Sequence, residues 1–177
     1  MHCSSSMTAL TVRSLIGLTE AELDRLRLAY LEIAGSRGPS NRRMLAEYLA
    51  QRETQTIEAL RRYREFDSEV TALDVHIRLG WAFPIIGLPK LGKGATIAAM
   101  FDCAEHSDAR LGQLRERVEL YASGAQLSSM LAAIDCIVES RRRDLVAVQH
   151  ELDIKPPLAT TSRPATPPPS RLTIDNG

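Results

Sequence analysis

Asp102 and His106 stand one helical turn apart, with Cys103 and Glu105 between them, and a carboxylate and an imidazole at i, i+4 can share a transition metal. A complete centre needs further ligands, and di-metal helical bundles take repeated Glu-x-x-His pairs from several helices. The remaining histidines, His2, His76 and His150, supply no second half-site, so the pair is expected to be a surface hydrogen bond. Cys103 beside His106 joins a thiol to a base. It lacks an orienting third group and an evident oxyanion site, so nucleophilic catalysis has no support beyond residue type. No catalytic residue, cofactor or metal is assigned, and a non-enzymatic protein is expected.

Two stretches carry known patterns. Gly87-Leu-Pro-Lys-Leu-Gly92-Lys93-Gly94 resembles the phosphate-binding loop of the nucleotide triphosphatases, which aims backbone N–H groups and a Lys at phosphates and a hydroxyl at Mg²⁺. Here Gly94 replaces the Ser or Thr, Pro84 interrupts the preceding run, and no further strands are available for a parallel sheet. A glycine-rich connection between helices accounts for it better. LAEYLAQRETQTIEALRR, at 45–62, resembles the helix-turn-helix of bacterial repressors, which sets a recognition helix in the major groove. That resemblance, taken over 42–64, implies a DNA-binding regulator with Arg42, Arg43, Arg52, Arg61, Arg62 and Arg64 on phosphates. Gln51 and Thr56 occupy positions that the repressors keep apolar, and Ile57 falls one residue late. An ordinary helical pair with a solvated Arg-rich face is therefore the leading reading.

Trp81, Phe83, Ile85, Ile86 and Leu88 are too many large apolar groups for a solvated loop. Either the chain's own bundle covers them, the favoured reading, or a protein partner does, with Trp81 as anchor. A membrane-spanning helix needs about 20 apolar residues, and Pro84, Pro89, Lys90 and Lys93 interrupt this run.

The 177 residues suit one domain and a tail. Aromatics make up 5%, and Ala and Leu dominate the apolar set, which favours helix packing on helix. The formal net charge is zero, so the total gives no support to a polyanion-binding protein. Arginines number 19 against three lysines, a skew that hints at a GC-rich bacterial source. Cys3, Cys103 and Cys136 have no framework spacing and read as free thiols in a reducing compartment. With no charged n-region and apolar run at the start, the cytoplasm is the expected location; a Ser-rich leader also suits a secreted effector.

These patterns predict an all-α chain of about five helices. Residues 1–18 form a flexible leader whose Leu10, Val12, Leu15 and Ile16 dock on the bundle. A helical bundle spans 19–153, with N-terminal helices over 19–80, an apolar Gly/Pro connector over 81–94 and a long antiparallel hairpin over 95–153. A disordered Pro-rich tail occupies 154–177 and contains a bare P-x-x-P at Pro164–Pro167. Thr19 and Glu22 form a capping box for a helix to about 34, buried through Leu23, Leu26, Tyr30 and Ile33. A second helix from Pro39 and Ser40 carries Met44, Leu45, Tyr48 and Leu49 and ends near Arg52. A third starts at Thr54 or Thr56 and carries Leu60, Tyr63, Phe66, Val70, Leu73 and Ile77 to Gly80.

In the hairpin, Ile97, Met100, Ala104, Leu111, Leu114, Val118 and Tyr121 form one stripe. Leu127, Leu131, Ile134, Val138, Leu145, Val148 and Leu152 form the other, and the chain folds back at Ser123 and Gly124. Both stripes fail midway, where Ser107 and Asp108 come opposite Arg141. An Asp108–Arg141 contact would set the axial alignment; equally, both reach solvent at the edge. Arg141→Leu is then expected to strengthen the hairpin or promote association. The functional expectation is a bacterial helical interaction protein, an adaptor, effector or structural module that binds a protein partner or itself. The alternative is the DNA-binding regulator, with the hairpin as its dimerisation element.

Overall fold

The computed structural model describes residues 9–66, 76–78, 88–121 and 125–152. It is all-α in class, with four helices among the described residues rather than about five, and one three-residue ladder. The helices are α1 (Val12–Ala34), α2 (Ser40–Phe66), α3 (Ile97–Tyr121) and α4 (Ala125–Glu151). Strands β1 (Ala9–Thr11) and β2 (His76–Arg78) pair antiparallel, with Leu10 opposite Ile77.

Helix α1 begins eight residues before Glu20, inside the expected leader. Thr11 is its N-cap, its Oγ1 accepting from the Ser14 N–H at 3.1 Å. Thr19 is therefore no cap: it lies mid-helix and donates to the Leu15 carbonyl at 3.0 Å. Burial decides this, because Val12, Leu15 and Ile16 enter the core and carry the helix backward past Thr19. Leu23, Leu26, Tyr30 and Ile33 continue the same face inward, and Gly35 closes the helix with its N–H on the Leu31 carbonyl.

The largest departure lies in α2, which runs unbroken through the expected end near Arg52. The threonines that read as caps bond backward, Thr54 Oγ1 to the Ala50 carbonyl and Thr56 Oγ1 to the Arg52 carbonyl. Both hydroxyls are satisfied within the helix, so neither competes for free N–H groups. Leu45, Leu49, Ile57 and Leu60 are buried, whereas Met44 points outward at 64% exposure. Ile77, expected at the end of a third helix, belongs to β2, and 67–75 lie outside the described residues.

Helices α3 and α4 pair in opposite senses. Asp108 meets Arg141 and Arg115 meets Asp135, so seven residues forward on α3 correspond to six back on α4. The stripes close as spaced: Met100, Ala104, Leu111, Leu114 and Val118 are buried on one arm and Leu131, Ile134, Val138 and Leu145 on the other. Ser123, Gly124 and the tail 154–177 lie outside the described residues. Packing is closest within α1/α2 and within α3/α4, and one apolar core joins the two pairs. No described helix is long and apolar enough to cross a membrane.

Candidate functional site

Where the apolar stripes of three helices fail, the failures coincide. On α2 the buried run Leu49, Ile57 and Leu60 is interrupted by Arg52, Glu53 and Thr56; on α3 Ala104 and Leu111 flank Ser107 and Asp108; on α4 Ile134 and Leu145 flank Arg141. All six polar side chains are buried, with Arg141 3% and Glu53 0% exposed. Arg141 Nε donates to Asp108 Oδ1 at 2.6 Å. Its Nη1 donates to Glu53 Oε2 at 3.0 Å and Thr56 Oγ1 at 2.6 Å. Its Nη2 donates to Glu53 Oε1 at 2.9 Å and Ser107 Oγ at 2.8 Å. A guanidinium has five N–H bonds, and these contacts use that capacity in full.

Arg52 supplies the second cation, balancing the two carboxylates. Its reach is looser: Nη2 lies 3.5 Å from both Glu53 Oε1 and Asp108 Oδ1 and donates to the Ala104 carbonyl at 3.3 Å, while Nε has no partner. Burial alone would depress Arg141, but the charges and hydrogen bonds of Glu53 and Asp108 outweigh it and hold the guanidinium above its ordinary value. Nearby, Tyr30 donates to the Met100 carbonyl at 3.2 Å, and burial, followed by the Glu53 charge, drives its phenol above the usual range.

The junction therefore ties α2, α3 and α4 together by charge and direction. Its members are buried, so the contacts they make are between the helices themselves. Glu53 and Thr56 escape sequence reasoning because a helix broken near Arg52 places them in a turn; the signal was an acid four residues from both Leu49 and Ile57.

Other expected residues scatter. Asp102 and His106 are exposed, with His106 Nδ1 2.7 Å from the Asp102 carbonyl oxygen, and the described residues contain no cluster able to hold a metal. Cys103 is buried and Cys136 exposed, both free thiols; burial, then Asp102, pushes Cys103 up to about 11. A helix-turn-helix at 42–64 is overturned, since those residues form one helix with no turn. Arg52 cannot reach a phosphate from the core. Arg42 donates to Ser36 Oγ at 2.7 Å, and Arg64 pairs with Glu20 at 3.1 Å. Arg43, Arg61 and Arg62 are exposed. Of the apolar connector, Leu88 is described: it is buried, and its carbonyl accepts from Arg25 at 3.2 Å. Trp81, Phe83, Ile85 and Ile86 lie outside the described residues. Just after the segment resembling a phosphate loop, Thr96 Oγ1 accepts from the Ala99 N–H and so caps α3.

Hollows on the surface of the described residues include two of similar size. One, of about 540 Å³, is lined by Arg13, Ser14, Gly17, Arg64 and Glu65. The other, of about 580 Å³, lies between α2 and α4 and is lined by Ala59, Arg62, Tyr63, Ala133, Cys136 and Ile137. It belongs to a longer face. On α2, Met44, Tyr48, Gln51, Gln55, Ala59 and Arg62 step by three and four, and on α4 Ser129, Ala133, Cys136, Ser140, Asp144 and Ala147 do likewise. All are exposed or half-buried, and Arg62 and Asp144 are the charged members. The Leu88–Arg25 contact brings a described part of the connector to α1. Comparison with protein-family models, curated proteins and solved structures finds no match to this chain.

Proposed function

We propose that this chain is a non-enzymatic helical interaction module that presents the α2–α4 face to a protein partner. The observation that carries this reading is the groove of about 580 Å³, with a floor of Ala59, Tyr63, Ala133 and Ile137 and Arg62 at its edge. Small side chains on both walls allow another backbone to approach closely, and a half-buried Tyr offers the kind of group enriched in contact centres. The charged junction beneath supports the same reading, because it sets the spacing of α2 and α4 and thus the shape of the groove. The expected contact at Trp81, Phe83, Ile85 and Ile86 lies outside the described residues, and Leu88 is buried.

The test is affinity capture by the full chain from its native host, comparing wild type with Ala59→Arg, which fills the groove, and Leu120→Lys, on an exposed site of α3. A partner retained by Leu120→Lys and lost by Ala59→Arg supports the reading. Equal capture by all three overturns it.

A further inference from the structure

We propose that the occupant of the α2–α4 groove is a second copy of this chain, seated about a two-fold axis that crosses the helices near Gln55 and Ser140. This rests on the reading of that face as a docking surface and adds the identity of the partner.

Three features favour a copy of the chain over a foreign protein. First, the face is self-complementary in charge. Arg62 lines one end of the groove, and no carboxylate among the described residues pairs with it. At the far end of the longer face, beyond the groove, Asp144 is exposed, close enough to the half-buried Tyr48 to help raise its phenol, after burial itself. Tyr48 precedes Arg62 by 14 residues, so the two charges stand about 21 Å apart along the helices. A two-fold axis midway turns the positive end of one copy onto the negative end of the other, and each Arg62 meets Asp144 of the partner subunit. Isologous contacts have this reciprocity.

Second, the area suffices. From Met44 to Tyr63 the face is about 29 Å long, and two helices at ordinary spacing make it about 20 Å wide. Pairing two such faces buries about 1,200 Å² in total, above the roughly 1,000 Å² that a specific interface needs. Third, the formal net charge is zero, so no overall repulsion keeps two copies apart.

The experiment is sedimentation velocity of the full chain from about 1 to 100 µM, a range suited to an interface of this size. Wild type is expected to pass from monomer to dimer within that range, and Ala59→Arg to remain monomeric. Arg62→Asp, an exposed change that leaves the core intact, weakens the dimer about tenfold, the sum of two modest rim pairs reversed in sign. Adding Asp144→Arg restores it to within about threefold of wild type. A wild type that is monomeric at 100 µM overturns the proposal, as does a dimer indifferent to Ala59→Arg. A double variant no tighter than Arg62→Asp refutes the two-fold arrangement. If the chain sediments as a monomer yet still captures a host protein through Ala59, the docking reading survives and the second copy is excluded.

Discussion

Arg141→Leu is expected to destabilise the fold by about 3–5 kcal/mol, the cost of removing one partner from a buried ion pair. The magnitude follows from what is stranded. Glu53, fully buried, loses two charged hydrogen bonds at 2.9 and 3.0 Å and keeps Arg52 at 3.5 Å and the Ser107 hydroxyl at 3.3–3.4 Å. Asp108 loses a bond of 2.6 Å, and Thr56 and Ser107 each lose a donor. The leucine adds apolar volume, but its burial is worth only about 1.5–3 kcal/mol, too little to offset an uncompensated carboxylate. Urea unfolding followed by far-UV circular dichroism at low protein concentration measures the loss. A cycle with Glu53→Gln identifies its source: the double variant should be more stable than Arg141→Leu alone, with a coupling of roughly 1–3 kcal/mol. Arg141→Lys should recover part of the loss, because an ammonium keeps the charge but cannot reproduce the planar fork. An Arg141→Leu chain within about 1 kcal/mol of wild type, or more stable, would refute the reasoning, since the guanidinium would then add nothing beyond its shape.

Further outcomes follow from other parts of the structure. Thr11→Ala should cost about 1 kcal/mol by loss of the α1 cap, whereas Thr19→Val should be nearly neutral in the same urea assay. Burial, opposed by Arg64 and Arg61, raises the Glu20 carboxyl, so its ionisation disfavours the folded state; Glu20→Gln should raise the melting temperature at pH 7, with the gain vanishing below about pH 4. In a Cys3→Ser chain kept dilute enough to be monomeric, a thiol reagent at neutral pH should modify Cys136 rapidly and reach Cys103 only in denaturant, because the buried thiol stays protonated. Tyr30→Phe should lose about 0.5–1.5 kcal/mol with its bond to Met100, without altering helix content by circular dichroism.

The aliphatic seams of α3 and α4 were legible because steps of three and four persist over many turns, and the same spacing brought Asp108 opposite Arg141. What could not be read was their environment. One sequence offers each polar residue a neighbour on its own hairpin, and Arg141 with a single partner at an edge is dispensable. With Glu53 and Thr56 arriving from α2, the expected sign of Arg141→Leu reverses. Those residues were hidden by a misplaced boundary. Thr54 and Thr56 have the chemistry of caps, and nothing local reveals that their hydroxyls turn back onto carbonyls of the preceding turn. The start of α1 failed for a related reason, since Thr19 and Glu22 imitate a capping box and the burial of Val12, Leu15 and Ile16 comes from tertiary contact. The α2–α4 face has a recognisable sparsity of charge along both helices, but that pattern acquires meaning once α2 is known to be continuous.

The charged junction also bears on how the molecule is made. Its residues arrive from the ribosome in the order Arg52, Glu53, Thr56, Ser107, Asp108 and, last, Arg141. A nascent chain that has released its first three helices holds two buried-to-be carboxylates and one arginine, an unbalanced core with little reason to dry out. Final closure must therefore wait for the fourth helix, since a chain that stops short of residue 141 leaves Glu53 and Asp108 with Arg52 as their one buried cation in the junction.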